Sequence, residues 1–178
     1  MTTAVLPARP EAGEFAPYYG GYIAQVPDGE LLPLLEQQIR ETLALLAPLP
    51  PERAAYRYAP GKWSVAEIVG HLADAERIFT HRALRAARGD ETPLPGFDEN
   101  AYVPAGEFDR RPLGELLAEL EAVRRSTLCL LHGLPPDAWT RRVTANNHPV
   151  SVRALAYVIA GPERHHVRVL RERYGVGG

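Results

Sequence analysis

Four segments of this chain place apolar residues three and four positions apart, and proline and glycine interrupt the chain between them. The first set is Leu32, Leu35, Ile39, Leu43 and Leu46; the second is Val65, Ile68, Leu72, Ala75 and Phe79. The third is Leu113, Leu116, Leu117, Leu120, Val123, Thr127 and Leu131, and the fourth Val152, Leu155, Ile159, His166, Val169 and Leu170. At 3.6 residues per turn each set forms one stripe along a helix, and a stripe must be buried against another. No segment reads as a convincing strand pair and no internal repeat is present. The pattern predicts an all-α fold, a four-helix bundle.

The helix ends carry their own signals. Asp28 is placed to cap the first helix, and Pro48, Pro50 and Pro51 stop it. Ser64 and Glu67 form a capping box that opens the second, which runs to about Arg88 and stops at Gly89. Pro112 begins the third helix and Gly133 ends it; Pro135 to Trp139 make a short turn; Ser151 caps the fourth. Residues 89–111 and 141–150 read as connections, with Asn146, Asn147 and His148 as turn chemistry. Connections this long allow a topology other than up-and-down.

Residues 1–27 read as an extended N-terminal arm and residues 28–174 as the bundle. Phe15, Tyr18, Tyr19 and Tyr22 give the arm more apolar surface than a free tail exposes, so it is expected to dock on its own bundle or on a second subunit. The 178 residues carry 20 basic and 22 acidic side chains, a net charge of −2, which disfavours nucleic acid as a partner. A single cysteine, Cys129, excludes a disulfide framework and a cysteine zinc cage, and reads as a small core residue. Apolar runs are too short for a membrane span and the N-terminus lacks a signal-peptide pattern, so the expected location is cytoplasmic.

Six histidines are the main candidates for chemistry. His71 sits about 60° from Ile68 around the second helix, at the edge of its stripe. His166 lies in line with Leu155, Ile159 and Pro162 on the fourth. Two imidazoles from two helices facing one interior can share a metal, or can be unrelated, half-buried and hydrogen-bonded. His81 and His132 fall near helix ends and are expected to be exposed. Asp74 and Glu76 read as a solvated face. No phosphate loop, serine elbow or zincin motif is present.

The stretch from Gly61 through Trp63, Ser64, Glu67, Gly70 and His71 to Arg77 resembles the signature of the DinB-like superfamily of bacterial four-helix bundles. The likeness continues through Arg82–Asp90 and Leu94–Glu99, and resumes from Ser151 to Gly161, at His165 and His166, and from Arg171 to Tyr174. The resemblance implies a metal-dependent hydrolase, or a thiol S-transferase using mycothiol, bacillithiol or glutathione. It also implies a homodimer, a small-molecule or thiol ligand and a link to stress response. The metal site it implies takes one histidine from the second helix, matching His71, and an H-x-x-x-H pair from the fourth. The later member of that pair matches His166; the earlier falls on Pro162.

A catalytic zinc site normally has three protein ligands and one open position. With Pro162 in place of a histidine, the site is expected to be degenerate and to hold zinc or nickel weakly or not at all. His165 and Glu163 are the residues that can substitute if Pro162 kinks the helix. The alternative is a non-catalytic bundle that binds a small ligand or a protein partner. Either way, a cleft without strong charge, apolar with a few convergent polar groups, is expected between the second and fourth helices near His71 and His166, with residues 89–111 over its mouth.

Overall fold

The computed structural model describes residues 7–177. Four long helices dominate: α2 (Leu31–Leu46), α4 (Val65–Ala87), α6 (Leu113–His132) and α7 (Val152–Tyr174). Short helices α1 (Gly20–Ile23), α3 (Pro51–Ala54) and α5 (Glu99–Gly106) lie in the connections. A hairpin of β1 (Arg142–Ala145) and β2 (His148–Ser151) precedes α7.

The helices do not run up and down in sequence order around the bundle. α2 packs on α6 and α7, and α4 also packs on α6 and α7. Chain neighbours α2 and α4 therefore stand diagonally across the bundle, as do α6 and α7. The long connections make this crossing feasible, and α5 within one of them packs back on α4.

The local signals explain most boundaries. Glu67 N–H donates to Ser64 Oγ at 3.0 Å while Ser64 N–H donates to Glu67 Oε2 at 2.8 Å, so the capping box is complete. Ser151 Oγ accepts from Ala154 N–H and opens α7. α4 ends at Ala87, with Gly89 at φ +75° just beyond. Asp28 does not cap α2: the helix begins at Leu31 behind Glu30, and the Asp28 carboxylate instead meets Arg9 at 3.1 Å.

Three further readings are corrected. Residues 141–150 hold the hairpin, joined by Asn146 at φ 49° and Asn147 at φ 63°. Asparagine tolerates this left-handed pair, which matches the twist of a two-residue hairpin turn. Four-residue strands are too short for their alternation to register in the sequence. Cys129 is exposed, not in the core. Glu76 is buried, not solvated.

Glu76 belongs to a polar layer at mid-height. Apolar residues above and below it form two separate clusters, and every long helix sends a polar side chain between them. These are Gln38, Glu76, Arg124 and Glu163. Arg124 reaches Glu76 through Nε at 2.8 Å and Nη2 at 2.9 Å, and Glu163 at 2.7 Å. Gln38 and Thr42 donate to the two Glu163 oxygens. Burial pushes the Arg124 pKa down, but the two carboxylates more than offset it and hold the guanidinium charged.

The N-terminal segment packs on its own bundle, as turns and the short α1 rather than as a plain extended strand. Glu14 accepts from Ser151 Oγ at 2.6 Å and from Arg153 Nε at 2.8 Å at the start of α7. Arg9 donates to the Ile23 and Val26 carbonyls, and Arg164 of α7 to the Gln25 carbonyl.

Candidate functional site

A cleft of about 620 Å³ opens between α4 and α7. His71 and His166 face it from those two helices, with ring centroids 5.2 Å apart at 74°. Trp63 lies against both, 4.8 Å from His71 and 6.1 Å from His166, nearly parallel to the latter. Trp63 sits just ahead of the α4 cap, and Tyr174 at the far end of α7 donates to its carbonyl at 2.5 Å. That bond ties the two helices together beside the histidines.

Both imidazoles are neutral at pH 7. Burial pushes the His71 pKa down to about 4. Burial, then the neighbouring His71 and His165, push His166 down to about 3. A neutral ring is the form that binds a metal or accepts a hydrogen bond. It is also a poor proton acceptor when its pKa is this low.

The donor set does not fit a three-ligand metal centre. Two imidazoles on one ion would stand roughly 5 Å apart between ring centres, which the pair satisfies. Pro162, however, lines the cleft at the position where a third ring is expected, and α7 continues without a break on both sides of it. Glu163 points away: both its oxygens are engaged in the polar layer. His165 packs 5.3 Å from His166 on one side and 5.5 Å from Tyr22 on the other, outside the cleft lining. Among the described residues, no group of three histidine, cysteine or acidic side chains could hold a metal ion. His81 and His132 are exposed, and His132 meets Glu36 at 3.0 Å.

The cleft has walls that the helical stripes do not announce. Tyr18, Tyr19 and Tyr22 of the N-terminal segment close one side, and residues 96–100 of the connection after α4 close the mouth. The expectation of a cleft without strong charge is corrected: buried Arg82 lines its far end, and Asp98 and Glu99 line its mouth. A signal for Arg82 existed: it falls on the face of α4 that carries His71, Ala75 and Phe79. The tyrosines could be read only as a docked segment, because nothing local to them tells where they dock.

Residues 34–170 match the DinB superfamily. A protein of Oceanobacillus iheyensis named "Putative metal-dependent hydrolase" is 25% identical over 118 residues, which is 65% of this chain and 67% of that protein. Among solved structures, YfiT from Bacillus subtilis superposes with a TM-score of 0.71 at 20% identity, over 92% of this chain and 95% of that one. It is described as a probable metal-dependent hydrolase with an unusual four-helix bundle topology. The mycothiol-dependent maleylpyruvate isomerase follows at 0.69 and 17% identity, over 88% of this chain and 64% of that one. At these identities the structural likeness speaks for the fold. The match over residues 34–170 covers most of the chain and settles its family: it belongs to the DinB superfamily.

Proposed function

We infer that this chain is a small-molecule-binding member of its family in which the cleft is kept and the metal centre is reduced to two histidines. The observation that carries this is the pairing of His71 with His166 on Trp63, with Pro162 where a third donor belongs. Two ligands hold a metal poorly. Burial has also lowered both rings below the range useful to a general base. What the arrangement does well is bind: a concave site with aromatic walls and a few convergent polar atoms suits a small organic molecule. A thiol is one such molecule, given the mycothiol dependence of a protein with the same fold.

The second reading is a metal-dependent hydrolase or thiol transferase, favoured by the ring spacing and by the name of the Oceanobacillus relative. Metal content of the untagged protein decides between them. Zinc or nickel that leaves on dialysis against a mild chelator supports the two-ligand reading; one equivalent retained overturns it. Pro162→His then supplies the missing donor. A gain of tenfold or more in zinc affinity is expected if His71 and His166 still converge in solution.

A further inference from the structure

Arg82 is 4% exposed and yet lines the cleft. A buried guanidinium needs a carboxylate or a full set of acceptors, because desolvating a charge is costly. Arg82 has neither within its own fold. Nη2 donates to the Pro95 carbonyl at 2.9 Å, and the Tyr19 phenol is within reach of the guanidinium. The remaining N–H groups are not sealed in the core but open onto the cleft. Among the described residues no carboxylate lies within ion-pairing distance of it. The other buried arginine, Arg124, meets two. Asp98 and Glu99 also line the cleft, but Asp98 accepts from the Asn100 N–H at the start of α5, and neither pairs with Arg82.

The guanidinium is nonetheless well fixed. It lies 5.8 Å from the Phe79 ring centre and 5.7 Å from that of Phe97, and the Tyr19 phenol is beside it. Asn146 crosses the backbone at Gly96, where a Cβ would lie 2.5 Å from its Oδ1, and closes this end of the cleft. The cleft thus has a fixed guanidinium at one end, two neutral imidazoles and an indole at the other, Ala75 and Phe79 between, and the Asp98 and Glu99 side chains along its mouth.

We propose that Arg82 is an anion-recognition residue, and that the cleft takes an elongated organic carboxylate with its acid group on Arg82 and its apolar or aromatic body along Phe79 toward Trp63 and the histidine pair. A planar guanidinium with free N–H groups matches a carboxylate edge to edge. His71 and Arg82 are eleven residues apart on α4, about 16 Å along the axis, so a two- or three-carbon acid is too short to touch both ends. This assignment rests on the cleft being a small-molecule site, and it narrows the class of molecule.

The test compares two probes of equal body, 6-phenylhexanoate and 6-phenylhexanol, by titration calorimetry and by the fluorescence of Trp63. The acid is expected to bind at least tenfold more tightly than the alcohol and to perturb Trp63. In Arg82→Met the acid should lose that advantage while the alcohol binds as before; Arg82→Lys should keep part of it. Equal binding of acid and alcohol to the unaltered protein overturns the carboxylate assignment and leaves the small-molecule site standing. Binding of neither overturns both. Because the acid-to-alcohol ratio is read on the unaltered chain, the result does not depend on Arg82→Met folding.

Discussion

The carbonyl oxygen of Tyr22 occupies the space beside Gly161 that a side chain would need: a Cβ there would lie 2.5 Å from it. Glycine one residue before Pro162 therefore lets the N-terminal segment seat against α7 and bring its tyrosines to the cleft. Gly161→Ala sets a gain of about 1 kcal/mol in helix propensity against displacement of that backbone. The displacement should prevail. Expected are a lower melting temperature and faster proteolysis of the first 25 or so residues. A raised melting temperature with unchanged proteolysis would show that the segment does not sit there.

Arg124→Met should cost about 3–5 kcal/mol, because it leaves two carboxylates buried with no counter-charge. Adding Glu163→Gln should recover part of this loss, since one uncompensated charge goes. Urea denaturation of both variants checks it; a double variant less stable than the single one contradicts the account of the polar layer.

Acid should weaken the fold in two windows. His71 titrates near 4 when folded and near 6.5 when unfolded, so below pH 6.5 the unfolded chain takes up a proton that the folded chain refuses. Stability should fall by up to about 3 kcal/mol between pH 6.5 and 4 and then level off with respect to this ring. Glu14 behaves as a depressed carboxylate. Hydrogen bonding to Arg153 outweighs burial, which opposes it, and with a further bond from Ser151 brings its pKa down to about 2. Its contribution is complete above pH 4.5 and is lost as pH falls toward 2. His166, held near 3 when folded, adds its own loss over the same range and on to about pH 3. His71→Phe should therefore shrink the first window rather than abolish it, and leave the Glu14 window in place; an unchanged profile would mean that His71 is not buried in its neutral form.

Ser64→Ala removes the cap of α4 and also the bond from Ser64 Oγ to Asp109 Oδ1, at 2.5 Å. A loss of about 1–2 kcal/mol is expected from thermal or chemical unfolding. Ser64→Asp keeps a cap acceptor but faces Asp109 with a like charge, so it should restore little.

The helices were legible because their stripes and caps are local: Ser64 with Glu67, Pro112, Gly133 and Ser151 each act within one turn. The convergence of His71 and His166 was legible too, as both lie on core-facing edges of stripes that must meet. Arg124 was not, because a buried arginine has no local pattern; only Glu76 and Glu163, 48 and 39 residues away, make its position tolerable. The hairpin stayed hidden because two four-residue strands give too little alternation, although the Asn146–Asn147 pair was the right signal. Trp63 and Arg82 stood inside the recognised stretches, but their orientation depends on Tyr174 and on the Pro95 carbonyl, which come from other elements.

The diagonal placement of α2 and α4 has a consequence for how the molecule assembles. The first two long helices made have no face to share, so each must await partners made later. α6 gives both of them a neighbour, but the layer of Gln38, Glu76, Arg124 and Glu163 remains incomplete until α7 arrives. The contacts that join one long helix to another thus link residues far apart in the chain, which favours all-or-none folding over stepwise growth from the N-terminus. A nascent chain that has reached only the hairpin would still expose Arg124 with one of its two acids missing. Quality control, rather than the finished protein, is where substitutions in α7 should first be felt.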